Sequence, residues 1–128
     1  MVALYVMWSG EFSKVGRARN VLHRWATLAG ASPHDVGLWS AYWVPRNMAT
    51  LAEAHCHAKL TPYHHRFEWF RVEPGIADQV VVAIARHACR SRGRVFRAVN
   101  IKEHQGKVRT PGPLRNQQMV ERSKEWRL

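Results

Sequence analysis

The stretch Leu4-Tyr5-Val6-Met7-Trp8-Ser9-Gly10-Glu11-Phe12-Ser13-Lys14-Val15-Gly16-Arg17-Ala18-Arg19-Asn20-Val21-Leu22-His23-Arg24-Trp25 decides the fold. Two short apolar runs, Val2 to Met7 and Phe12 to Gly16, flank Trp8-Ser9-Gly10-Glu11, and a Ser-Gly step between such runs signals a hairpin. With a two-residue turn at Ser9-Gly10, or a four-residue turn in the same register, Tyr5 lies directly opposite Lys14. Opposed side chains share a face. Leu4, Val6 and Val15 then take the other face and enter a core, which leaves a phenol beside an ammonium above Gly16. Asn20 is a good N-cap, and Val21, Trp25 and Leu28 follow it at helical spacing. Arg24 therefore sits on the first turns of a helix leaving the hairpin, and tyrosine, lysine and arginine converge.

Working outward, Val36 to Val44 (V-G-L-W-S-A-Y-W-V) is β-branched and aromatic, bounded by Pro33 and Pro45, and predicts a third strand, central to the sheet. The fold class is α+β: a small three-stranded antiparallel sheet flanked by helices, with a basic C-terminal extension. Cover for the apolar side comes from the helix starting at Val21 and from a second helix, capped by Asn47 and running from Met48 to about Leu60, where Thr61-Pro62 stops it. Glu53, Cys56, His57 and Leu60 fall at i, i+3, i+4 and i+7, one stripe of that helix. A carboxylate on an apolar stripe calls for a cation or a metal as partner, since burying it unpaired is costly; the alternative is a surface contact of Glu53 with His57 or Lys59. Thr61 to Arg66 reads as a polar loop, Phe67 to Val72 as a short edge strand, and Pro74 to about Cys89 as a third helix. Leu114 to Leu128 has the anchors of a short amphipathic helix, at poor spacing.

The 128 residues make one domain, able to bury roughly two thirds of the unfolded surface. Residues 1–89 carry nine basic groups against six acids, and residues 90–128 carry eleven against three, so most of the net +11 lies in the tail. The chain divides into a domain over 1–89 and a basic extension over 90–128. Such an arm suits nucleic-acid phosphate, where each neutralised phosphate releases counterions. Cys56 and Cys89 form no disulfide framework and match no zinc spacing, which suits reduced thiols in a cytoplasm. The apolar opening Met1 to Trp8 is too short for a signal peptide or a span. Neither a membrane nor a small-molecule cofactor is expected.

Ala3-Leu4-Tyr5, Lys14-Val15-Gly16, Arg24 ten residues after the first of these glycine-motif positions, Glu53, Cys56-His57 and Glu68-Trp69-Phe70, taken in order, resemble the GIY-YIG endonuclease superfamily, in a compact phage and bacterial subgroup. The resemblance covers roughly residues 2–72. It implies a metal-dependent endonuclease that hydrolyses phosphodiester bonds of DNA or RNA, with Tyr5, Lys14, Arg24 and Glu53 as the catalytic set. Lys14 stands where the superfamily has its second tyrosine. The asparagine usual after the metal glutamate has no counterpart, its place being taken by His64, His65 or Arg66.

Phosphodiester hydrolysis needs a nucleophilic water, a base, and positive charge where the phosphorane oxygens gain electrons. Tyr5 is the candidate base, its phenolate favoured by Lys14 and Arg17. Arg24 suits the scissile phosphate, which its planar donors grip as a fork. At these matched positions the roles are what the resemblance implies, and it makes Glu53 the candidate ligand for one Mg²⁺ or Mn²⁺. Arg17, Arg19, His57, His64 and His65 are candidate phosphate contacts. Structural zinc is disfavoured because His55 and His57 face different ways on a helix. Trp39, Trp43 and Trp69 read as core aromatics, and Glu68-Trp69-Phe70 as structural. The competing reading is a non-catalytic nucleic-acid-binding module that keeps the fold.

Overall fold

The computed structural model describes residues 1–103 and the backbone of Val108–Arg109. The hairpin forms as β1 (Val2–Ser9) and β2 (Phe12–Ala18), paired antiparallel from Ala3 opposite Ala18 to Ser9 opposite Phe12. Its two-residue turn is Gly10-Glu11, one step later than Ser9-Gly10. Gly10 has φ +59°, the left-handed conformation that glycine adopts without steric cost and that matches the twist of the flanking strands. The later turn moves the register by two residues: Tyr5 faces Gly16, and Lys14 faces Met7. A two-residue move preserves the faces, so Tyr5, Lys14 and Gly16 still share one side.

The helix α1 (Val21–Ala31) follows, with Asn20 Oδ1 accepting from the His23 N–H at 3.1 Å as the cap the sequence predicts. The strand β3 (Val36–Val44) then pairs with β1, which makes β1 rather than β3 the middle of these three strands. Burial on both faces explains the unbroken apolar run of β1, because Val2 through Met7 are all buried. Leu4, Val6, Val15 and Val44 pack against α2 (Ala49–Lys59) and α3 (Pro74–Ser91) through Ala52, Cys56, Ala77, Val81 and Ala85. Ala3, Tyr5, Met7, Leu38 and Ala41 pack on the opposite face against Val21, Trp25 and Ala29 of α1. Both sides of the sheet are covered, α1 on one and α2 with α3 on the other, where the sequence suggested a single apolar side.

Among the described residues six strands, not three, make the sheet, in the order β4-β5-β2-β1-β3-β6. The additions are short: β4 (His64–Arg66), β5 (Trp69–Phe70) and β6 (Val108–Arg109). The first of them falls inside the segment expected as a loop. The strand expected over Phe67 to Val72 contracts to Trp69–Phe70, since Phe67 and Glu68 are consumed by a turn. Asn47 does not cap α2. It lies in a 3-10 turn, Arg46–Met48, entered from Pro45, and the N-cap position falls to Met48 without a side-chain bond.

After α3 the chain returns along the outer edge of β3. The Trp43 N–H donates to the Arg97 carbonyl at 3.0 Å, the Val99 N–H donates to the Ala41 carbonyl at 2.8 Å, and Ile101 is buried beside α1's core residues. Phe96 stacks on Tyr42 with ring centroids 5.4 Å apart, and Arg86 lies over the Phe96 ring at 4.7 Å. The helix expected over Leu114 to Leu128 lies outside the described residues.

Candidate active site

Tyr5 extends from the middle of β1 across Gly16 of β2. A Cβ on Gly16 would stand 2.4 Å from the phenol oxygen and 2.6 Å from the ring carbon bearing it, so the glycine makes room for the ring. Tyr5 is fully buried, and no group meets its oxygen in hydrogen-bonding geometry. The exposed Arg24 guanidinium, on the first turn of α1, is the cation aimed at that oxygen. Burial raises the Tyr5 pKa above its ordinary 10, and Arg24 only partly offsets it. The expectation that neighbouring cations favour the phenolate is therefore corrected: desolvation outweighs them.

The two cations expected to act on Tyr5 are engaged elsewhere. Lys14 is buried to 8 % exposure; its ammonium bonds the Glu68 carboxylate and lies 5.9 Å from the centre of the Trp69 ring. Arg17, on the α2 side of β2, donates to Glu53 at 3.2 Å. Glu53 sits near the middle of α2 with its side chain only 13 % exposed, so the carboxylate on the apolar stripe has the cationic partner its burial requires. Tyr5, Lys14 and Arg24 stand on the α1 face of the hairpin and Arg17 with Glu53 on its α2 face, and the charges of Glu68 and Glu53 act on Tyr5 and Arg24 only as minor contributions. Tyr5, Lys14, Arg17, Arg24, Glu53 and Glu68 thus gather around β2, drawn from β1, β2, α1, α2 and the β4–β5 turn.

The remaining candidates lie around this cluster with prior engagements. His57 Nε2 donates to the Val15 carbonyl at 2.8 Å, with its ring 5.3 Å from that of Phe70. His64 Nε2 donates to the Phe67 carbonyl at 2.9 Å, and His65 lies 4.5 Å from the Phe12 ring. Arg19 is exposed between β2 and the Asn20 cap. Trp69 is half-buried beside Lys14.

Glu68 is the site residue that sequence reasoning treated as purely structural. The signal for it was register: with β5 set against β2 so that Trp69 faces Lys14, the preceding carboxylate falls beside the ammonium. Nothing in a tripeptide of acid and aromatics specifies that pairing by itself.

An α+β domain with two carboxylates, three cations and a buried phenol around one strand has the inventory of a phosphodiester-processing site. The chain belongs to the T5orf172 family, a phage-associated, nuclease-like one: the family's model, described as the T5orf172 domain, matches residues 3–85 and spans the whole cluster. The family is consistent with interaction with nucleic acid. Comparison with the curated proteins and with the solved structures returned no match. Among the described residues, no helix is long and apolar enough to cross a membrane.

Proposed function

We propose that the chain is a metal-dependent endonuclease of GIY-YIG type that hydrolyses phosphodiester bonds of DNA, with RNA as the other candidate substrate. The observation that carries this reading is the buried Tyr5 with the exposed Arg24 guanidinium aimed at its oxygen and Lys14 on the same face of the hairpin. Keeping a polar atom buried without a good hydrogen bond costs roughly 1–3 kcal/mol, a cost that a functional role of the phenol beside the exposed Arg24 would account for.

In this scheme Arg24 grips a non-bridging pair of phosphate oxygens, and Lys14 exchanges Glu68 for the phosphate and neutralises charge developing on the phosphorane. Tyr5 orients the attacking water and, as its phenolate, takes the water's proton; burial keeps that phenolate a minor form in the free protein, so this step needs the phenol to lose its own proton first. Among the described residues no three His, Cys, Asp or Glu side chains gather as ligands, so Glu53 is the carboxylate that would hold a divalent ion together with waters and substrate oxygens. A single half-buried carboxylate fits Mg²⁺ or Mn²⁺ held in that manner. The ion would supply Lewis-acid stabilisation of the leaving oxygen.

The second reading is a nucleic-acid-binding module without cleavage. It is favoured by the engagement of Lys14 with Glu68 and Arg17 with Glu53, which leaves the cluster internally neutralised. The test is cleavage of supercoiled plasmid and of single-stranded RNA with Mg²⁺ or Mn²⁺ at low salt, with binding measured in parallel. Cutting that disappears in Glu53→Ala while binding persists is the expected result. Binding without cutting, indifferent to Glu53→Ala, selects the second reading.

A further inference from the structure

Among the described residues two two-residue hairpin turns each begin with a residue at positive φ. In the first, Gly10-Glu11 joins β1 to β2, and Gly10 carries φ +59°. In the second, Phe67-Glu68 joins β4 to β5, with Arg66 paired to Trp69, and Phe67 carries φ +54°. Phe67 is the one non-glycine residue with positive φ among the described residues. A bulky residue in the left-handed region is a steric outlier, and a phenylalanine has none of the local hydrogen bonding by which Asn or Asp offsets that cost. The chain uses glycine for this job at residue 10 and an aromatic at residue 67.

Packing does not explain the choice. Phe67 is 82 % exposed, the most exposed of the large hydrophobic side chains among the described residues. The turn is nevertheless fixed from several directions: His64 Nε2 donates to the Phe67 carbonyl, the Val15 N–H reaches the Glu68 carbonyl at 3.4 Å, and the Glu68 carboxylate holds Lys14. An exposed ring on a strained, well-anchored turn, one residue from the partner of a site lysine, is positioned for a ligand. The flanking side chains select its chemistry. Arg66, His64 and His65 are exposed on β4, and Lys14 and Arg24 lie in the adjoining cluster, so the surroundings suit an anion that also presents a flat apolar face.

We infer that Phe67 is a stacking residue that receives an unpaired nucleobase at the rim of the site, so that the preferred ligand is single-stranded or locally unpaired nucleic acid. This inference rests on the nucleic-acid reading above and adds to it the substrate's conformation and the residue that reads it. Phosphate held by the cations positions the strand, and stacking on Phe67 rewards a base that has left its helix.

The test uses the full chain, the variants Phe67→Gly, Phe67→Ala and Phe67→Trp, and fluorescence anisotropy with a labelled single-stranded oligonucleotide and its fully paired duplex. Thermal midpoints are recorded for each variant. Stacking on one aromatic accounts for roughly five- to a hundred-fold in affinity. Phe67→Gly is expected to raise the thermal midpoint, because it relieves the positive φ, and to weaken single-strand binding within that range while changing duplex binding little. Phe67→Trp is expected to retain single-strand affinity. Equal single-strand affinity in Phe67→Gly and wild type overturns the inference, as does a lowered midpoint in Phe67→Gly, which would make the ring structural. Wild-type protein that binds neither probe overturns the nucleic-acid reading, and the stacking role falls with it.

Discussion

Removing the Tyr5 hydroxyl separates stability from function in opposite directions. In Tyr5→Phe the ring still fills the space over Gly16, and the only atom lost is an oxygen that is fully buried and lacks a hydrogen-bond partner. Leaving such a group dry costs about 1–3 kcal/mol, and losing the Arg24 electrostatic contact gives back about 1 kcal/mol. The net expectation is a change between about zero and a gain of about 2 kcal/mol, or a midpoint up to about 8 °C higher for a chain of this size. Cleavage should fall by about two to four orders of magnitude, the range for loss of a general base. The assay is urea and thermal unfolding followed by circular dichroism, beside plasmid cleavage under matched conditions. Destabilisation by more than about 1 kcal/mol would show that the hydroxyl is satisfied in the fold and would refute the reasoning. Cleavage at the wild-type rate would remove Tyr5 from the chemistry.

Gly16→Ala should cost about 1–3 kcal/mol by driving a methyl into the Tyr5 ring, and Tyr5→Leu in the same chain should recover most of that loss in a double-mutant cycle of unfolding free energies. Burial, helped by the Glu53 charge, pushes the Cys56 thiol from 9.0 up to about 12. The unfolded thiol ionises first, so this contribution is intact below pH 9 and is lost as pH rises towards 12, by about 4 kcal/mol in all. Urea titrations at successive pH values should show that alkaline loss shrinking in Cys56→Ala. Glu68→Gln should release Lys14 and tighten nucleic-acid binding about two- to five-fold at low salt, a gain that fades as salt is added; unchanged affinity at both salts would show that Lys14 does not meet the phosphate.

Legibility in the sequence followed burial. β1, β2, α1 and β3 announced themselves because each carries enough apolar residues for its period to show, and Asn20 marked the start of α1 unambiguously. β4 was invisible: His64, His65 and Arg66 are all exposed, so no alternation records their pairing. Its partner β5 is two residues long and depends on Phe67 at a conformation that phenylalanine's local preference argues against. Asn47 had the composition of a cap, but Pro45 starts a tighter turn that uses it up before α2 begins. At the site, Tyr5, Lys14, Arg24 and Glu53 were nameable from order and spacing, whereas Glu68 required the β2–β5 register. The protonation of Tyr5 went the other way from expectation because a list of nearby cations omits both the desolvation of the phenol and the carboxylates that already occupy those cations.

The returning segment after α3 bears on how the domain can be cut. Charge counting divides the chain at residue 89, and the matched family region ends at residue 85. A chain shortened to either point would lose the backbone pairing of Arg97 and Val99 with Trp43 and Ala41, together with the buried Ile101. What remains is a nine-residue strand, Val36–Val44, rich in tryptophan, tyrosine and valine, with a row of free amides and carbonyls facing solvent. Such an edge recruits a second strand from another molecule. The segment that looks by composition like the start of a nucleic-acid arm therefore also covers that edge, and because Val108 and Arg109 pair with Gly37 and Val36, shortened proteins should end no earlier than Arg109.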